Sequence, residues 1–190
     1  MNDHDLIGVI DESSPPNSAG GVSFVVATAA VFAPDGVTSA LGEMFPPGRS
    51  RPFHWISEGD AARDRILDIV VESGVVAVSY YAHVGRRHQV QARRDMLTRA
   101  ADWAATEGVG RLMIEASDAA TMGRDRAALL DHYKDRGGVP FAYDWPTKNE
   151  PLLWIADAIA GATSAYVVGI DTRWYDRLAS AGVLSVIAHA

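Results

Sequence analysis

Cysteine is absent from the 190 residues. That removes disulfides, a thiolate nucleophile and any thiolate-bound zinc or iron–sulfur centre, and a cytoplasmic setting fits best. Long hydrophobic runs are missing too. The longest apolar stretch, residues 22–32, is too short to span a bilayer, and no basic segment precedes it as a signal peptide requires; no membrane partner is expected. Positive charge is in deficit: 17 Lys and Arg face 24 Asp and Glu, a formal net charge of −7. The whole-chain field repels polyanions, which excludes histone-like or ribosomal roles. Aromatics make up only 8% and are scattered over different elements, so they are expected in the core and not as a base-stacking platform. There is no phosphate-cradling glycine loop, dinucleotide fingerprint or serine elbow. Repeats and low-complexity segments are lacking as well.

What is present is 48% apolar residues, enough for one sizeable core, and a single domain over residues 1–190 is the expectation. Residues 6–10 are apolar on both faces of a strand that ends at Asp11-Glu12, and a Pro/Gly-rich loop leads to a second strand at 22–32. Residues 34–52 read as an irregular, mobile excursion carrying Arg49 and Arg51. A helix begins near Ser57 or Asp60 and ends at Gly74, followed by a strand at 75–81 and a helix over 88–107 with Val90, Leu97, Ala100, Ala101 and Ala104 on its apolar face. A strand at 111–115, a helix at 125–136, a strand at 139–145 and an apolar helix at 152–162 complete the regular pattern. Residues 183–187 fit either a helical turn or an edge strand. A hairpin followed by alternating strands and helices predicts an α/β fold with a mixed sheet flanked by helices.

The acids that interrupt apolar elements select themselves. Asp11 and Glu12 close one strand, Glu115 and Asp118 close another, and Asp157 lies inside an apolar helix. If the two strands are parallel neighbours, their acids meet where α/β sheets hold ligands. Such a cluster repels itself unless a hard divalent cation, Mg²⁺ or Mn²⁺, neutralises it, and that pairing suits phosphodiester chemistry. Adjacent strand residues face opposite ways, so Asp11 is favoured over Glu12 as a ligand. His54 and Glu12 are the candidate proton handlers, and His54 with Glu58 is a second, weaker pair. Arg86, Arg87, Arg93 and Arg94 form the densest basic patch, a candidate grip on nucleic-acid phosphates. For each single acid the competing reading is a helix cap, a turn or an ion pair, and for the arginines a solvated helix face.

Asp11-Glu12-Ser13 after the first strand and Leu153-Trp154-Ile155-Ala156-Asp157-Ala158-Ile159-Ala160-Gly161 later in the chain resemble the bacterial family catalogued as domain of unknown function 3800, itself similar to ribonuclease H. Phe53-His54-Trp55 and the strand ending at Glu115 are weaker matches. The resemblance implies a ribonuclease H-like domain acting as a magnesium-dependent nuclease, with Asp11, Glu115 or Asp118, and Asp157 as metal ligands. Relatives commonly carry Gln where Trp154 stands here, and an indole cannot do an amide's work at a phosphate. The alternative expectation is therefore a catalytically inactive module of the same fold that binds nucleic acid or a protein partner.

Overall fold

The computed structural model describes residues 6–45 and 51–189. Arg49 lies outside the described residues, as does the side chain of Arg86. Six strands form one mixed sheet: β1 (Ile7–Ser13), β2 (Val22–Val31), β3 (Val76–Val84), β4 (Arg111–Ile114), β5 (Ala142–Asp144) and β6 (Leu184–Ala188). Their spatial order is β5-β4-β1-β2-β3-β6. β1 pairs antiparallel with β2 and parallel with β4, while β2–β3 is antiparallel and β3–β6 parallel. The tail, open between a helical turn and a strand on sequence alone, is thus an edge strand.

Helices cover both faces. On one side lie α1 (Pro34–Glu43), α2 (Asp60–Glu72), α5 (Leu153–Val167) and α6 (Arg173–Ser180), whose apolar residues share a cluster with Val9, Ala27, Ala29 and Met113 of the sheet. On the other lie α3 (Gln89–Thr106) and α4 (Ala119–Tyr133), packed against Ile10, Val26, Leu112 and Ile114. Every residue of β2 is buried, as its place between two strands and two helical layers requires. No helix among the described residues is long and apolar enough to cross a membrane.

Three expectations need correction. β1 does not stop at Asp11: pairing with β2 carries it through Ser13, with Asp11 opposite Ala27 and Glu12 opposite Val26. Pro34-Asp35-Gly36 does not close a turn into an irregular loop but starts α1, with Pro at its first turn and Val37 and Leu41 buried one helical turn apart. Val90 is 58% exposed and does not belong to the apolar stripe of α3, which is built from Ala92, Met96, Leu97, Ala100, Ala101 and Ala104.

α5 is apolar on nearly every side because most of it, from Leu153 to Ser164, is covered by its neighbours. It lies across β1, β2 and β3 and is flanked by α2 and α6. Thr163 anchors it further, donating its hydroxyl to Ser79 Oγ of β3 at 2.9 Å. Asp157 near its N-terminal end is therefore forced into the interior at 6% exposure.

Candidate active site

The parallel register of β1 and β4 sets Ile10 opposite Ile114, and the ladder continues where Glu115 N–H donates to Ile10 O at 3.0 Å. Asp11 and Glu115 therefore follow side by side, each one residue beyond that pair, at the end of the two strands where the sheet opens. Val9 faces the α5 layer and Ile10 the α3 layer, so alternation turns Asp11 toward Asp157 and Glu12 toward α3. Asp11 is 5% exposed and its Oδ2 is buried with no hydrogen-bond partner.

One cation stands among these acids. Lys148, in the loop between β5 and α5, places Nζ 3.2 Å from Asp157 Oδ1, 3.3 Å from Glu115 Oε2 and 3.6 Å from Asp11 Oδ2. It also lies 3.0 Å from His54 Nδ1, itself 3.4 Å from Asp157 Oδ1. Asp11, Glu115 and Lys148 line a cavity of about 210 Å³ together with Glu12 and Arg93.

The electrostatics are strained. Burial, above all, pushes the Asp11 carboxyl well above its ordinary range; the Glu115 carboxyl beside it and the charge of Asp157 push the same way, and Lys148 opposes them. Burial alone would lower Lys148, but the charges of Asp11, Asp157 and Glu115 and the bond to Asp157 outweigh it and raise its pKa. The ammonium therefore stays charged at neutral pH. Because folded Asp11 holds its proton more tightly than the unfolded chain does, its contribution to stability is complete at low pH. That contribution is lost as pH climbs from the ordinary carboxylate value through the raised one. Urea midpoints measured across that interval should fall more steeply for the wild type than for Asp11→Asn, which has no such proton; equal slopes would contradict the assignment.

The third carboxylate is oriented by backbone. Asp157 Oδ2 accepts from Trp55 N–H at 2.7 Å. Trp55 opens a short 3-10 turn, Trp55–Ser57, and its indole meets Trp174 edge-on at 5.6 Å while Arg63 holds its carbonyl at 3.0 Å. The ring lies so close to α5 that a Cβ on Gly161 would come within 2.2 Å of it. Gly161→Ala should displace Trp55 and its N–H, costing about 1–3 kcal/mol as overpacking does. Guanidinium denaturation measures this, and an unchanged midpoint would show that Trp55 moves freely.

The other candidates go elsewhere. Glu12 pairs with Arg93. Asp118 is the N-cap of α4, its carboxylate accepting from Thr121 N at 2.9 Å and Thr121 Oγ1 at 2.7 Å, which holds its pKa down. It does not line the cavity, and Glu115 is the acid that Lys148 ties to Asp11 and Asp157. Glu58 meets Arg51 at 3.4 Å, and the extended backbone at Glu58 breaks any helical face shared with His54. Arg93 grips buried Asp125 with two bonds of 2.9 and 2.8 Å, Arg94 meets Asp131 at 3.0 Å, and Arg87 donates to His88 Nε2 at 3.0 Å. Arg93 is thus a structural ion pair before it is a phosphate contact. Arg93, Arg94 and Arg124 nonetheless line an open groove of about 530 Å³ that shares Glu12, Arg93 and Ser117 with the carboxylate cavity.

Lys148 is the residue that the sequence reading missed. Its loop has no periodicity, and the faint signal available was a lone lysine nine positions before Asp157. As for a metal, the donor chemistry fits a hard divalent cation: three carboxylates share one ammonium, and one of their oxygens, Asp11 Oδ2, is buried without a hydrogen bond. The spacing does not yet fit, because among the described residues no three carboxylate or imidazole groups are arranged to hold one ion.

No protein-family model and no curated protein matches the sequence. The resemblance of the two short motifs to a bacterial family therefore stands on those residues alone. Among solved structures, the complex of PCNA with ribonuclease HII from Archaeoglobus fulgidus contains a similar fold, with a TM-score of 0.52 at 12% identity, covering 86% of this chain and 73% of that one. The chain has a mixed α/β fold of the ribonuclease H-like kind.

Proposed function

We propose that the chain is a divalent-metal-dependent phosphodiester hydrolase, a nuclease built as a single domain over residues 1–190 and akin to the family that its two motifs resemble. The observation that carries this reading is the convergence of Asp11, Glu115 and Asp157 from three separate elements, with a single ammonium among them. Only with Lys148 withdrawn from them would these three hold Mg²⁺ or Mn²⁺, which when bound would supply a Lewis acid for the phosphoryl oxygen and lower the pKa of water. The protein's own groups do the rest. The Trp55 N–H fixes the rotamer of Asp157, and His54, with its side chain 47% exposed beside Asp157, would be the proton handler for a departing oxygen. The adjoining groove of about 530 Å³ carries Arg94 and Arg124, which would face the phosphates of a polyanion.

A second reading, a catalytically silent module that binds nucleic acid or a protein, is favoured by Lys148, which already pairs with all three carboxylates. One screen separates the two. Labelled single- and double-stranded DNA, RNA and an RNA–DNA hybrid are incubated with Mg²⁺ or Mn²⁺, with and without chelator. Cleavage of at least one substrate, stopped by the chelator, is the expected result; binding without cleavage under either metal would move the assignment to the silent module.

A further inference from the structure

We infer that Lys148 is a built-in occupant of the cation position, which a divalent ion has to displace, and that Trp154 is the positioning residue that keeps it there. The inference rests on the metal-dependent reading above and adds a residue-level device to it. Lys148 is no surface lysine brushing an acid: its side chain is 19% exposed, and its one nitrogen lies within 3.6 Å of carboxylate oxygens from β1, the end of β4 and α5. Two cations cannot share three carboxylates at that range without strong mutual repulsion, so metal and ammonium compete for the same charge.

The ammonium is also held in place through its own backbone. Trp154 Nε1 donates to Lys148 O at 2.8 Å. The indole that makes this bond is itself clamped, with ring centroids 5.8 Å from Phe45 and 6.4 Å from Phe53. A chain of contacts thus runs from an aromatic cluster, through one indole N–H, to the carbonyl of the residue whose ammonium fills the site. The same position that looks like a loss when read as a missing amide side chain gains a different task.

A protein whose metal-competent arrangement is only a fraction of its population binds the metal more weakly by that fraction, and removing the competing state restores the difference. Lys148→Met keeps the length and the apolar stem and deletes the charge. Trp154→Phe keeps a ring in the cluster and deletes only the N–H. Titration calorimetry with Mn²⁺ on the full chain should show Lys148→Met binding about tenfold tighter or more, and Trp154→Phe shifted in the same direction by less. Circular dichroism melts without metal verify the fold of each variant. Wild-type-like or weaker Mn²⁺ binding by a folded Lys148→Met overturns the inference while leaving the metal-dependent reading intact. If Lys148→Met does not fold, unchanged affinity in Trp154→Phe overturns it. Absence of Mn²⁺ binding in the wild type and in both variants removes the metal-dependent reading and the inference together.

Discussion

On the proposed nuclease reading, Asp11→Asn is expected to lower cleavage by about 10³-fold or more, the several kcal/mol that the contribution of a metal ligand would represent, without lowering the stability of the fold. The two halves of that result come from the same geometry. Asp11 is buried, Oδ2 lacks a hydrogen bond, and burial together with Glu115 works against its charge. Asparagine has the same shape and keeps an oxygen for the Glu12 N–H that Asp11 Oδ1 accepts at 2.7 Å. It removes a charge that the folded state holds at a cost. A residue retained for structure alone would lose stability and activity together. Here kcat/KM in Mn²⁺ should collapse while the urea midpoint at neutral pH stays level or rises; a lower midpoint with activity retained would contradict the assignment.

Arg93→Met should be the most destabilising single change on the α3 side of the sheet, at about 3–5 kcal/mol. Asp125 is 2% exposed and both of its oxygens are held by Arg93, which also pairs with Glu12. Removing the guanidinium leaves a buried carboxylate uncompensated, and that cost exceeds the modest net worth of the pair itself. The double variant Arg93→Met/Asp125→Leu should recover most of the loss, since neither charge then remains. Denaturant midpoints of the two single variants and the double variant measure this. Additive losses would mean that the two residues act independently.

Much of the fold was legible because local pattern and final position agree. The both-sided apolarity of β1 and β2, the 3.6 period of α2 and α3 and the apolar α5 each correspond to the burial observed. Errors arose where a distant partner decides. Nothing local says that β1 continues through Ser13; Val25, its partner twelve residues on, does. Nothing local assigns Arg93 to Asp125, 32 positions away, so their ion pair could not be read from the sequence. At Pro34 the misreading was one of chemistry: Pro-Asp-Gly suits a turn and a helix start equally, and Val37 with Leu41 tips the balance only once there is a core to bury them.

At the site, Asp11 and Asp157 stood out as acids in apolar surroundings, and the parallel β1–β4 pairing adds Glu115 to them. Asp118 was the harder competitor because a cap and a ligand look alike in sequence; only the bonds to Thr121 separate them. Lys148 left no pattern because a single cation in a loop has no period, and its meaning depends on three acids brought together by the fold.

The most direct test is Mn²⁺ titration calorimetry on the wild type and on Asp157→Asn. Asparagine preserves an acceptor for the Trp55 N–H, so the fold and its circular dichroism should be unchanged. Binding by the wild type that vanishes in Asp157→Asn is the predicted result. Equal binding by both proteins would place any metal elsewhere and contradict the account.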